Sequence, residues 1–204
     1  MTGTAIVLEP DGLLFHTDML RSQALHAALA DEGVGIAEGV VAVAHLGVTA
    51  SMALDALGAA LSLDDTGRDL VLRRTADRVR AALDGAMPNF DPIIAGNLQT
   101  LAAVYPLAVV SRATRADAER MLEQANLSML VRTVRSLDGL AEADQQPVWT
   151  AAVAHCLASR GIAIAPAPLR SSARRAGLAT IDAPGGATLQ QLAAADAAFI
   201  DTLF

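Results

Sequence analysis

The sequence contains no lysine, so all 15 of its basic residues are arginine. No step that needs a primary amine, such as Schiff-base formation, can occur on this chain. A single cysteine, Cys156, excludes an internal disulfide and reads as a small buried hydrophobe rather than a nucleophile. Aromatic residues are only 3% of a chain that is 53% hydrophobic, so the core must be built from Ala, Val, Leu and Ile. Positive charge is in deficit. A net charge of −7 argues against nucleic acid or an anionic membrane surface as partner. Long apolar runs are missing too, because residues 39–63, the most apolar stretch, are broken by His45 and Asp55. No basic segment leading into an apolar one precedes the first predicted strand, and a cytoplasmic location is the expectation.

What is present is concentrated in residues 4–17, TAIVLEPDGLLFHT. Thr4 to Leu8 is a short apolar run with β-branched members, the pattern of a parallel strand covered on both faces. It ends in two acids, Glu9 and Asp11, whose spacing of two puts them on one face of an extended backbone. Gly12 then lets the chain turn away. A pair of carboxylates at the carboxyl end of a central parallel strand is where an open α/β sheet keeps its ligand site.

This stretch resembles the first motif of the haloacid dehalogenase (HAD) superfamily, an apolar strand followed by Asp-x-Asp-Gly-Thr-Leu-x-Asp-Thr. The likeness is to the branch that holds β-phosphoglucomutase and phosphoglycolate phosphatase. Asp11, Gly12, Leu14 and Thr17 match that motif, whereas Glu9, Leu13 and His16 replace its nucleophilic Asp, its Thr and its second Asp. The resemblance implies a doubly wound parallel sheet, a HAD-like Rossmannoid core, with an inserted helical cap. Residues 18–87 would form the cap, and residues 1–17 and 88–204 the α/β core.

The rest of the chain fits that division. Asp18 is placed to cap a helix that closes near Gly33, and amphipathic or apolar helices are predicted over 40–61 and 69–83. Further strands are predicted at Pro106–Ser111, Leu130–Val134, Ile162–Ala165 and Leu178–Ile181, with helices between them. One such helix, over 145–160, is expected to close at Gly161. The closing phrase around Asp196 and Asp201-Thr202-Leu203 resembles the family's last motif.

In the family, as the resemblance implies, an Asp attacks phosphorus, a second Asp two residues on serves as acid and base, and Mg²⁺ with a Lys neutralises the transferred group. Each part is altered here. Glu9 carries the nucleophile's functional group on a side chain one methylene longer, a displacement of roughly 1 Å that can cost about 10²-fold in rate. Asp11 remains available for general acid–base work. The family's Lys would fall between Asp144 and Gln146, and the acidic pair that completes its Mg²⁺ site has no counterpart, since residues 145–181 contain no Asp or Glu. No metal is therefore expected, Mg²⁺ only if the degenerate site still holds it, and positive charge is expected to be largely stripped from the pocket. Arg112 is the best local substitute cation, Arg170 a second, and Ser111 and His16 could contact a ligand. The candidate catalytic residues are Glu9 and Asp11, and the candidate ligand-binding residues are Gly12, His16, Ser111 and Arg112.

The expected function is that of a HAD-like hydrolase-fold protein with a degenerate site. It would lack Mg²⁺-dependent phosphatase activity and bind a small molecule between cap and core or a protein partner, a homodimer being possible through the apolar cap surface. Two alternatives remain open: an active hydrolase of phosphate esters or haloacids using Glu9 and Asp11, and a non-hydrolytic enzyme with an apolar pocket suggested by Leu13 and Phe15.

Overall fold

The computed structural model describes residues 3–11, 13–85 and 92–182, and in the tail 189, 191–192, 194–195, 199–200 and 202–204. Met87, where the predicted cap ends, Gly12, and most of the closing phrase, Asp196 and Asp201 included, lie outside these residues.

The apolar run at the start forms β1 (Thr4–Leu8), every residue of which is buried. The chain then builds four helices, α1 (Asp18–Asp31), α2 (Glu38–His45), α3 (Ala50–Leu57) and α4 (Asp65–Gly85), before the next strand. After α5 (Pro92–Val104) come β2 (Leu107–Ser111), α6 (Arg115–Gln124), β3 (Val131–Ser136), α7 (Gln146–His155), β4 (Arg160–Ala165), α8 (Ala167–Arg175) and β5 (Ala179–Asp182). The sheet is parallel throughout in the order β3-β2-β1-β4-β5, so β1 is central and its carboxyl end lies at the point where the strand order reverses. Doubly wound topology with helices between strands is what the sequence led us to expect.

Alternation along the strands divides the core. Ile6, Leu8, Leu107, Val109, Ile162 and Ile164 point to one side, where they meet α5 and α6 residues such as Leu98, Met121 and Leu122. Ala5, Val7, Ala108, Val110, Ala163 and Ala165 point to the other, a face of small side chains against which the single tryptophan, Trp149 of α7, packs with Leu169 of α8. Small residues on the sheet leave room for the largest side chain in the protein. Trp149 is fully buried, and its indole N–H donates to Ser172 Oγ at 3.0 Å, which satisfies the only polar atom it brings inside. Leu13 and Phe15, the residues that suggested an apolar pocket, are fully buried in the α5–α6 side of the core. The four inserted helices hold a separate cluster built from Leu25, Leu29, Val41, Leu54 and Val71.

Several local predictions are refined. The apolar stretch 40–61 is two helices, separated at Gly47, whose φ of 73° only glycine adopts without strain. Gly161 does not close α7. It lies within β4 opposite Ala5, and a Cβ there would come within 2.5 Å of Val153, so the glycine lets α7 approach the sheet. The helix ends instead at Cys156, followed by Leu157 in the left-handed region. Asn126, expected at the end of α6, takes a φ of 57° just beyond it.

Candidate functional site

The backbone leaves β1 and turns at Pro10, whose carbonyl accepts from the amides of both Leu14 and Phe15. This tight turn holds Glu9 and Asp11 inside the molecule, at 0% and 2% exposure. Two buried carboxylates need counter-ions, and the fold supplies one arginine for each. Arg112, the first residue after β2, places Nε 3.3 Å from Glu9 Oε1, and its Nη1 lies 2.8 Å from Asp18 Oδ1 at the start of α1. Arg21, one turn further along α1, places Nη2 3.3 Å from Asp11 Oδ2. The Thr17 hydroxyl donates to Asp11 Oδ1 and accepts from Arg21 Nε.

That network explains a departure at the start of α1. Thr17, not Asp18, occupies the N-cap, and it makes no capping bond because its hydroxyl is spent on Asp11. Asp18 is the first helical residue, and its carboxylate serves Arg112. The expectation of a pocket stripped of positive charge is therefore corrected, because two buried guanidinium groups stand at the end of β1.

The electrostatics follow from burial and pairing. Burial pushes the Glu9 carboxyl up to about 8; the Arg112 guanidinium pulls it down by less, and the Asp11 charge adds to the rise. Burial acts on Asp11 in the same sense, but Arg21, Arg112 and the bond from Thr17 outweigh it and hold that carboxyl below its usual range. Arg112 is disfavoured as a cation by burial, yet the charges of Glu9, Asp11 and Asp18 raise it above the ordinary arginine value. His45, at the end of α2, is driven down to about 3 by burial and by the two guanidinium groups, so it is neutral at physiological pH.

Between the inserted helices and the strand ends lies a cavity of about 30 Å³, room for one or two water molecules. Its walls include Arg21, His45, Thr75, Arg112, Asp117 and Asp138, but neither Glu9 nor Asp11. The arginines thus stand between the cavity and the carboxylates. Ser111 is fully buried, and its Oγ accepts from the Ala113 amide at 3.0 Å. His16, beside Thr17 in sequence, is exposed. Arg170 is paired with Asp182 at the end of β5, 3.4 Å away, and does not line the cavity. Asp138 is in a turn beside Gly139, as its sequence context suggested, yet it also borders the cavity.

Where the resemblance would place the lysine, Gln145 is fully buried, accepts from Ser172 Oγ and directs its amide to Met52 Sδ of α3 at 3.1 Å. Where it would place the acidic pair, β4 runs into Pro166 and Pro168, and Gly47 of the inserted helices packs against both. Among the described residues, no three His, Cys, Asp or Glu side chains gather in a metal-binding group.

Arg21, Asp18 and His45 were not singled out as site residues from the sequence. A signal was available: Arg21 occupies the same helical stripe as Ala24, Leu25 and Ala28, and His45 lies one turn after Val41 on the buried side of α2. A charge or an imidazole in an apolar stripe needs a buried partner.

No family model matches the chain, and no curated protein matches it. Solved structures do. A proposed phosphoglycolate phosphatase from Lactobacillus plantarum is 18% identical with a TM-score of 0.75, over 90% of this chain and 87% of that one. A mutant of CbbY from Rhodobacter sphaeroides, crystallised in complex with xylulose 1,5-bisphosphate, is 16% identical with a TM-score of 0.70, over 91% and 88%. Protein tyrosine kinase A from Mycobacterium tuberculosis is 20% identical with a TM-score of 0.69, over 89% and 83%. Names as different as phosphatase and kinase on one architecture show that the fold does not fix the activity. The chain has the HAD-like hydrolase fold, a Rossmannoid α/β core with helices inserted after its first strand.

Proposed function

We propose that this protein has no Mg²⁺-dependent phosphatase activity and works by binding a small molecule between its inserted helices and its core. The observation that carries the reading is the position of Arg21 and Arg112 between the cavity and the two carboxylates. A nucleophile must reach phosphorus, and Glu9 is walled off from the cavity by a guanidinium. It must also be ionised, whereas burial keeps the Glu9 carboxyl mostly protonated at neutral pH. A divalent cation does not fit these residues, since it would have to displace or face two guanidinium groups, with no further acid supplied by the loop after β4. The size of the cavity agrees: about 30 Å³ is far below the volume of a sugar bisphosphate such as the one bound to CbbY.

The test is turnover of a broad panel of phosphate monoesters with Mg²⁺, run beside Glu9→Ala. Equal, background rates are expected from both. Turnover by the wild-type chain well above that control overturns the reading in favour of a working hydrolase.

A further inference from the structure

Arg112 is 3% exposed and lines the cavity, yet neither of its terminal nitrogens makes a well-directed hydrogen bond among the described residues. His45 Nδ1, on the same cavity, also lacks a partner. Behind Arg112, Glu9 Oε2 has no donor among the described residues. Unpaired guanidinium nitrogens thus share the cavity wall with the Asp117 and Asp138 carboxylates, and an unsatisfied carboxyl oxygen lies beside Arg112. A guanidinium edge takes a carboxylate in two parallel bonds, and of the ions it can hold only a very small one suits a space of this size.

Charge limits what can enter. Arg112 is shared between Glu9 and Asp18, and Arg21 is held by Asp11. With Glu9 neutral, Arg21 and Arg112 balance Asp11 and Asp18, and an entering anion adds one negative charge to a wall that also carries Asp117 and Asp138. With Glu9 ionised, the anion and Glu9 compete for one guanidinium in a buried site, where an uncompensated charge is costly.

We propose that the cavity takes a short-chain carboxylate on the guanidinium edges of Arg21 and Arg112, and that its binding is coupled to uptake of one proton by Glu9 behind them. This rests on reading the site as a binding site. It adds the ligand class and the coupling.

Charged and titratable groups surround Glu9 on several sides. Arg112 from the end of β2 and Asp11 from its own loop face it. Arg21 and Asp18 of α1, His45 of α2, Asp117 of α6 and Asp138 after β3 complete the neighbourhood. Above neutral pH Arg112 stays charged, His45 stays neutral and Asp11 stays ionised, while burial raises the Asp138 carboxyl above its usual range.

The test is calorimetric titration of the wild-type chain with sodium formate at pH 7 and pH 9, each in two buffers of different ionisation enthalpy, with inorganic phosphate as the competing probe. We expect saturable formate binding that weakens by up to about tenfold per pH unit above about 8, with uptake approaching one proton per formate at pH 9. Glu9→Gln, a near-isosteric change, should bind formate with the same affinity at both pH values and take up no proton. The proposal is overturned if the wild-type chain binds no formate, if phosphate binds more tightly than formate, or if proton uptake persists in Glu9→Gln. None of these results depends on phosphatase turnover, so the two readings fail separately.

Discussion

Arg112 and Glu9 come from strands 103 residues apart in sequence, and in the fold the Nε of one lies 3.3 Å from Oε1 of the other, both fully enclosed. Parallel pairing of β1 with β2 sets Leu8 beside Val109, so the residues that follow the two strands emerge at the same edge of the sheet. The contact is therefore a consequence of topology. It turns a carboxyl position associated with attack into the buried partner of a guanidinium.

Removing one half should be more harmful than neutralising both. Arg112→Met leaves Asp18 and Glu9 without their cation and is expected to destabilise the protein by about 3–5 kcal/mol. Combining it with Glu9→Gln should recover part of that loss. Urea denaturation of the single and double mutants at pH 9, where Glu9 is ionised, measures the coupling.

Glu9 should leave a mark on the pH dependence of stability. Its folded pKa of about 8 exceeds its ordinary 4.5, so the folded state holds a proton that the unfolded state releases between those values. Stability should fall as pH rises from about 4.5 to about 8, by an amount on the order of several kcal/mol, and then level off. Glu9→Gln should remove that slope and be more stable than the wild type at pH 9. Equilibrium unfolding across this range checks both statements.

Gly47 connects α2 to α3 at a φ of 73°, and a Cβ there would lie 3.3 Å from Pro166 Cβ. Gly47→Ala should cost about 1–2 kcal/mol from the left-handed backbone. It should also push the inserted helices off the prolines after β4. A drop in melting temperature, together with faster hydrogen exchange in α2 and α3, is the expected outcome.

The same inserted helices are tied to the core by ions at their other end. Arg120 of α6 reaches Asp84 of α4 at 2.5 Å, and Arg80 of α4 reaches Asp117 of α6 at 3.6 Å. Asp84 is mostly exposed, so Asp84→Asn should cost no more than about 1 kcal/mol, and less at high salt. Thermal melts at low and high ionic strength measure it.

The architecture could be read in the sequence because its strands are short apolar runs and its helices carry a clear apolar stripe. Thr4–Leu8 and Leu107–Ser111 announce buried parallel strands, and Glu9 and Asp11 announce the end of the sheet where a site belongs. What escaped was pairing across space. Arg21 has no local cue beyond its place in an apolar stripe, and its role depends on α1 packing over Asp11. Gly161 resembled a helix terminator because a glycine after a helix often is one. Its actual job, admitting Val153 against the sheet, depends on a contact between elements that a linear reading does not contain.

The account rests on Arg21 and Arg112, not a metal ion, neutralising the acids at the end of β1. Calorimetric titration of the protein with MgCl₂ at pH 7 tests this most directly. The account predicts no saturable binding at millimolar Mg²⁺, for the wild-type chain and for Glu9→Gln alike. Tight, stoichiometric Mg²⁺ binding that Glu9→Gln abolishes would contradict it.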